Sequence, residues 1–256
     1  MKEIILDRKN SLDYDMQYGS DPSIKGKWKE IMLIDDRDQR NAAIDKLIDL
    51  MEANSENNGF ISSDQELVIY PNLNCSIYPD DREIYYMFFD NLKQMYNFYE
   101  GKNTSYIYSE AIQMTLHDYF GDHKVDYQKR HDLTRIKEGP DGKMKNPSIK
   151  VLKGQDCAAC VENSAISHNL WLIAGQESYF INNPMVKHTY NIVKIGGKTT
   201  LLYDYSRNSI GELHFDPIEK IRNNETVAID DFIYHDPDHM PQTNNTNTND
   251  HDPKTK

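Results

Sequence analysis

Two β-type runs meeting at a pair of glycines restrict this chain more than any other feature. One run goes from His188 to Lys194 and the other from Lys198 to Asp204, with Ile195, Gly196 and Gly197 between them. A three-residue loop there sets Lys194 against Lys198. It puts His188 directly opposite Asp204 on one face of an antiparallel hairpin, with Gly197 in the left-handed position such loops favour. A two-residue Gly196-Gly197 turn would send the two side chains to opposite faces, unless a bulge intervened. Upstream, Val161, Ala165, Ile166, Leu170, Leu172 and Ile173 make an apolar helix that begins at Cys160 and is capped by Gly175. The expected unit is a helix followed by a hairpin.

The chemistry of that unit lies at its ends. A thiol becomes a nucleophile when a neighbouring imidazole takes its proton, and the imidazole needs a third group to fix its tautomer. Cys160, His188 and Asp204 supply those three groups in order. A helix N-terminus at Cys160 favours the thiolate, and its free N–H groups suit a developing oxyanion. The plainer reading makes Cys160 a small buried hydrophobe, His188 a polar strand-edge residue and Asp204 a turn former. The three together favour the chemical reading.

Other residues compete for roles nearby. Cys157 is a rival nucleophile and completes a C-x-x-C pair, which raises metal and redox readings. The only other cysteine is Cys75, which rules out a four-cysteine zinc site. The Gln155 amide either donates to an oxyanion or caps local backbone. Glu162 and Asn163 suit the first turn of a helix, with a positioning role as the alternative, and Asn191 either satisfies backbone or orients the imidazole. His168 is too far along the helix to be the base. His235, Asp236, Asp238 and His239 read as a solvated run rather than metal ligands. No metal and no organic cofactor is required.

Apolar spacing marks three earlier helices, Asp35 to Asn54, Arg82 to Glu100 and Thr104 to Phe120, the last two stopped by Gly101 and Gly121. A β-type run covers Leu67 to Tyr70. Residues 1 to about 30 are polar and irregular, and 122–147 read as a long surface loop. A short strand, Ile149 to Leu152, leads into the cysteine segment. The tail from 236 to 256 is rich in Asn, Thr, Asp and Pro and is expected to be disordered. The divisions are a mainly helical part over 1–147, a core over 148–235 and the tail. Helices first and a helix–hairpin later indicate an α+β fold.

A formal charge of −12 argues against nucleic-acid binding, because phosphate contact needs basic surface. No stretch approaches the ~20 apolar residues of a membrane span, so no membrane partner is expected. The start, MKEIILDRKN, has an apolar run of only three and is not expected to be a cleavable secretory signal, and three cysteines make no disulfide framework. The expected compartment is cytoplasmic, with export that needs no cleavable signal left open.

Cys160, Ser164, the apolar helix and Gly175, followed by His188, Tyr190-Asn191 and Asp204, resemble the transglutaminase-like branch of the papain-type cysteine enzymes. The resemblance covers roughly residues 148–205. It implies a papain/transglutaminase-like core, a Cys-bearing helix packed on an antiparallel sheet, with an N-terminal helical extension. It also implies acyl transfer at amide bonds of a peptide or protein substrate, with Cys160 as nucleophile, His188 as base and Asp204 as orienter. Peptidase, deamidase and transglutaminase-type outcomes all fit. Cys160-Val161-Glu162-Asn163 also resembles arylamine N-acetyltransferases, although Lys153-Gly154-Gln155 departs from their lead-in. A catalytically silent binding module of the same fold is the alternative of a different class.

Overall fold

Capping groups and apolar spacing explain where the long helices start and stop. The computed structural model describes residues 4–6, 17–18, 26–70, 73–99, 104–122, 125–183, 188–196, 199–205, 209–213, 217–218 and 227–229. Short strands β1 (Ile4–Leu6) and β2 (Gln17–Tyr18) come first, then helices α1 (Lys27–Met32), α2 (Arg37–Ala53) and α3 (Ser55–Asn58). Strands β3 (Leu67–Tyr70) and β4 (Cys75–Ile77) form a hairpin, followed by α4 (Glu83–Phe98), α5 (Thr104–Phe120) and α6 (Tyr127–Thr134). A small hairpin of β5 (Lys137–Glu138) and β6 (Met144–Lys145) leads to the central helix α7 (Cys160–Ile173). The chain then runs through β7 (Glu177–Asn183), β8 (His188–Ile195), β9 (Thr199–Asp204), β10 (Ser209–Leu213) and β11 (Val227–Ile229).

The fold is α+β. Asp36 starts α2 by accepting the Gln39 N–H at 2.8 Å, and Ile44, Leu47, Ile48 and Met51 form its buried stripe. After α5 the chain turns at Gly121, with φ of 88°, where a Cβ would meet Asp156 Oδ1 at 2.0 Å. Only glycine fits that approach.

Three expectations need correction. Within 122–147, expected as a surface loop, residues 127–134 are helical. Asp126 caps α6 by accepting the Lys129 N–H at 3.0 Å, and Arg130 and Thr134 are buried. An arginine on the inner face gives no apolar period to read. Ile149–Leu152 is a 3-10 turn, not a strand. Ser148 accepts the Lys150 N–H, and the buried Ile149 and Leu152 stand three apart. The polar start contains α1, whose Trp28 and Ile31 are buried, and β2, which pairs with β7. The tail from 236 lies outside the described residues.

A five-stranded antiparallel sheet runs in the order β10-β9-β8-β7-β2. Helix α7 lies on β7 and β8 and is buried along nearly its whole length. Across it, Tyr108 of α5 meets Trp171 with ring centroids 6.4 Å apart. One cluster of buried apolar side chains runs from Trp28 through α2, α4, α5 and α7 to Tyr205, joining the helical part to the sheet. Among the described residues no helix is long and apolar enough to cross a membrane.

Polar side chains fix α7 in place. His168 contacts Ser178 Oγ at 3.0 Å and Gly59 O at 2.9 Å. Asn169 accepts the Ile61 N–H at 2.9 Å and donates to Ile61 O at 2.8 Å. Replacing Asn169 by Ala strands both Ile61 groups inside the protein. Urea denaturation is expected to show a loss of about 2–4 kcal/mol, read from a lower midpoint at unchanged slope.

Candidate active site

The chain before α7 decides where Cys160 sits. Ala159 is extended, and its N–H donates to Glu162 Oε2 at 3.1 Å, so Glu162 reaches back to cap its own helix. Arg130 of α6 grips the same carboxylate, Nε to Oε1 and Nη2 to Oε2, each at 2.8 Å. The Arg130 and Glu162 side chains are 4% and 0% exposed. Two further bonds tie α7 to β8. Ser164 Oγ donates to Thr189 O at 2.9 Å, and Asn191 Nδ2 donates to Ser164 O at 3.0 Å.

The hairpin register differs from the expected one. Ile195 pairs with Thr199 and Asn191 with Tyr203, so the loop spans residues 196–198, one position later. Continued one step, this ladder sets Asp204 opposite Tyr190 rather than His188. A displacement of two keeps side-chain parity, so His188 and Asp204 still share a face and meet diagonally. His188 Nε2 lies 2.5 Å from Asp204 Oδ2. Gly196 takes the left-handed conformation, φ 57°; Gly197, expected there, lies outside the described residues.

Alternation along the strands also says which face this is. Asn191 bonds α7, and its cross-strand neighbour Tyr203 packs on Trp171 with centroids 5.5 Å apart. The odd-numbered positions of β8 and β9 therefore face the helix, and His188 and Asp204 belong to the other face. Both stand at the end of the sheet where β8 starts and β9 stops. The Cys160 sulfur reaches the His188 ring around that end, hydrogen-bonded to it and to the Thr189 backbone N–H. Asp204 occupies Nε2, which leaves Nδ1 for the sulfur. Tyr190 stacks beside the imidazole at 6.0 Å between centroids.

Electrostatics separate the two cysteines. At Cys160 burial disfavours the thiolate, but the hydrogen bond and charge of His188 and the Thr189 N–H outweigh it, and the thiol is held below its ordinary value. At Cys157 burial prevails over Lys129 and Arg130, and the thiol is pushed up. At His188 burial disfavours the imidazolium, yet hydrogen bonds to Asp204 and Cys160 and their charges push its pKa up to about 9. Opposite shifts on hydrogen-bonded partners favour a thiolate–imidazolium pair.

The remaining sequence candidates fall as follows. The Gln155 amide donates to Lys153 O at 3.3 Å, a local backbone contact. Glu162 caps and braces α7, and Asn191 holds the helix rather than the imidazole. Asn163 is buried beside Glu162, and neither of its side-chain polar atoms has a partner among the described residues. His168 is a core histidine that burial pushes down to about 4. His235, Asp236, Asp238 and His239 lie outside the described residues, among which no cluster fit for a metal ion occurs. Two participants were invisible in the sequence. Thr189 acts through its backbone, and Arg130 sits in a segment without apolar period. A groove of about 410 Å³ between α4 and α5, walled by Met95, Phe98, Tyr99 and Met114, includes none of these residues. No family model, curated protein or solved structure matches the chain.

Thiolate absorbance measured against pH tests the site. Cys160 is expected to ionise below an ordinary thiol, and His188→Ala should raise its midpoint by about 1–3 units, since burial and Glu162 then have only the Thr189 N–H against them. Cys157→Ala should leave the midpoint where it was. A midpoint indifferent to His188→Ala would mean that the ring does not govern the sulfur.

Proposed function

We propose that this protein is a thiol-dependent acyl-transfer enzyme acting on amide bonds. The observation that carries the reading is the hydrogen-bonded series Cys160, His188, Asp204, with the thiol lowered and the imidazole raised. The packing of α7 on an antiparallel sheet, with His188 and Asp204 on adjacent strands, supports a papain/transglutaminase-like core to which the N-terminal helices are an extension.

In this reading the Cys160 thiolate attacks an amide carbonyl carbon, forming a C–S bond and an oxyanion. The backbone N–H of Cys160, first in α7 and without an acceptor inside the helix, would hold that charge. The intermediate collapses as the C–N bond breaks, and the amine leaves with the His188 proton. Water or a second amine, deprotonated by His188, then attacks the thioester and returns the thiol. Asp204 keeps the ring oriented and offsets the imidazolium charge. A peptide amide with water gives proteolysis, a glutamine side chain with water gives deamidation, and an amine acceptor gives a cross-link.

Intact-mass analysis with a panel of peptide and glutamine substrates tests the reaction. Wild type is expected to turn over or to carry a thioester, and Cys160→Ala to do neither. Asp204→Asn should be slower by on the order of 10²–10⁴-fold. The rate should rise as Cys160 ionises and fall as His188 gives up its proton near pH 9. Turnover that survives Cys160→Ala but not Cys157→Ala would overturn the assignment. Iodoacetamide labelling of Cys160 at the pace of an unfolded thiol would favour a silent binding module instead.

A further inference from the structure

We propose that Arg130 is a positioning residue of this site, cancelling the buried charge of Glu162 beside the sulfur and, through Glu162, holding the N-terminus of α7 in place. The proposal rests on the reading of Cys160 as a thiolate nucleophile and adds to it a residue from a separate helix.

Glu162 lies two residues from Cys160 and is fully buried. Its negative charge opposes the thiolate. An ionised carboxylate left unpaired in that position would draw in water, which would release the Ala159 N–H that starts the helix. The guanidinium of Arg130 removes the difficulty with a two-pronged grip that a lysine could not reproduce. Helix α6 is itself anchored. Asp126 caps it, Thr134 Oγ1 donates to Arg130 O at 2.8 Å, and Lys129 Nζ donates to Gln155 O at 2.7 Å. The helix thus grips the cysteine segment on both sides, at Gln155 on the surface and at Glu162 inside.

Among the described residues the charges bearing on this end of α7 can be named. His188 comes from β8 with Asp204 of β9 behind it, and Glu162 comes from α7 itself. Arg130, Lys129 and Asp126 surround Cys157 from the α6 side. Asp118 at the end of α5 and Asp122 just beyond it act on Tyr205 instead. Neutralising one member of the Arg130–Glu162 pair therefore has a definite sign at the sulfur.

The test is the pH midpoint of Cys160 alkylation by iodoacetamide, mapped by peptide mass in the full chain, with circular dichroism as the folding control. Arg130→Met leaves Glu162 uncompensated and should raise the midpoint by about one unit, slowing alkylation roughly tenfold on the acid side. Glu162→Gln keeps an acceptor for Ala159 but removes the negative charge that opposes the thiolate, so its midpoint should fall. The double variant should return close to wild type. A purely structural brace predicts slower labelling in both single variants at an unmoved midpoint, and that result overturns the proposal. If Arg130→Met does not fold, Glu162→Gln decides alone, since a midpoint that stays or rises refutes the cancellation. Failure of the enzyme reading shows separately, as a wild-type midpoint that His188→Ala leaves untouched.

Discussion

A helix buried on nearly every side is held in place by the partners its polar groups find, and α7 depends on four such side chains. Ser164, Ser167, His168 and Asn169 are all buried, and each is hydrogen-bonded to a defined atom of β7, β8, the 59–61 segment or the helix itself. Apolar packing alone would let such a helix slide or rotate with little penalty. A rotation that strands several amides and hydroxyls costs a few kcal/mol for each. The helix has one position, and the sulfur at its first residue therefore has one position too.

That position lies at the rim of the sheet rather than in the layer between sheet and helix. The face under α7 is committed to core packing through Val193, Leu201 and Tyr203, whereas His188 and Asp204 point from the opposite face at the strand ends. Burial there is deep enough to strengthen charge pairing, with the His188 side chain 10% and that of Asp204 6% exposed, while Cys160 as a residue is only half-buried. The clamp through Thr189 links these requirements. Its carbonyl accepts from Ser164 and its N–H meets the sulfur, so the backbone of one residue registers helix, strand and thiol together.

Much of this was legible because it follows from periodicity and parity. The three long helices begin and end within about two residues of their expected limits, since Asp36, Gly121 and the apolar stripes each have a local cause. Gly175, with φ of 72°, stops α7 as a C-terminal glycine should. The shared face of His188 and Asp204 survived an error in register because a displacement of two leaves parity intact. The register itself was not legible. Ile195-Gly196-Gly197 and Gly196-Gly197-Lys198 are both three-residue loops with glycine available for a left-handed position, and the difference is settled by pairing across the whole sheet. Helix α6 was hidden for another reason. Its inward residues are an arginine and a threonine, and the stabilisation comes from an ion pair whose partner is 32 residues away.

Cys157 and Cys160 show why residue type and spacing stop short of chemistry. The two thiols lie on one short segment, both feel the charge of Glu162, and burial raises both. Had helix position or burial alone decided their ionisation, they would behave alike. They diverge because one sulfur faces an imidazole and a peptide N–H, while at the other burial prevails over the charges of α6. A C-x-x-C pair names two candidates, and the strand that arrives from 28 residues downstream, carrying His188, selects between them. The discriminating contact is non-local, so it forms only once β8 has docked on α7. Any state in which that docking is lost therefore leaves two ordinary thiols where the folded protein has one that is activated.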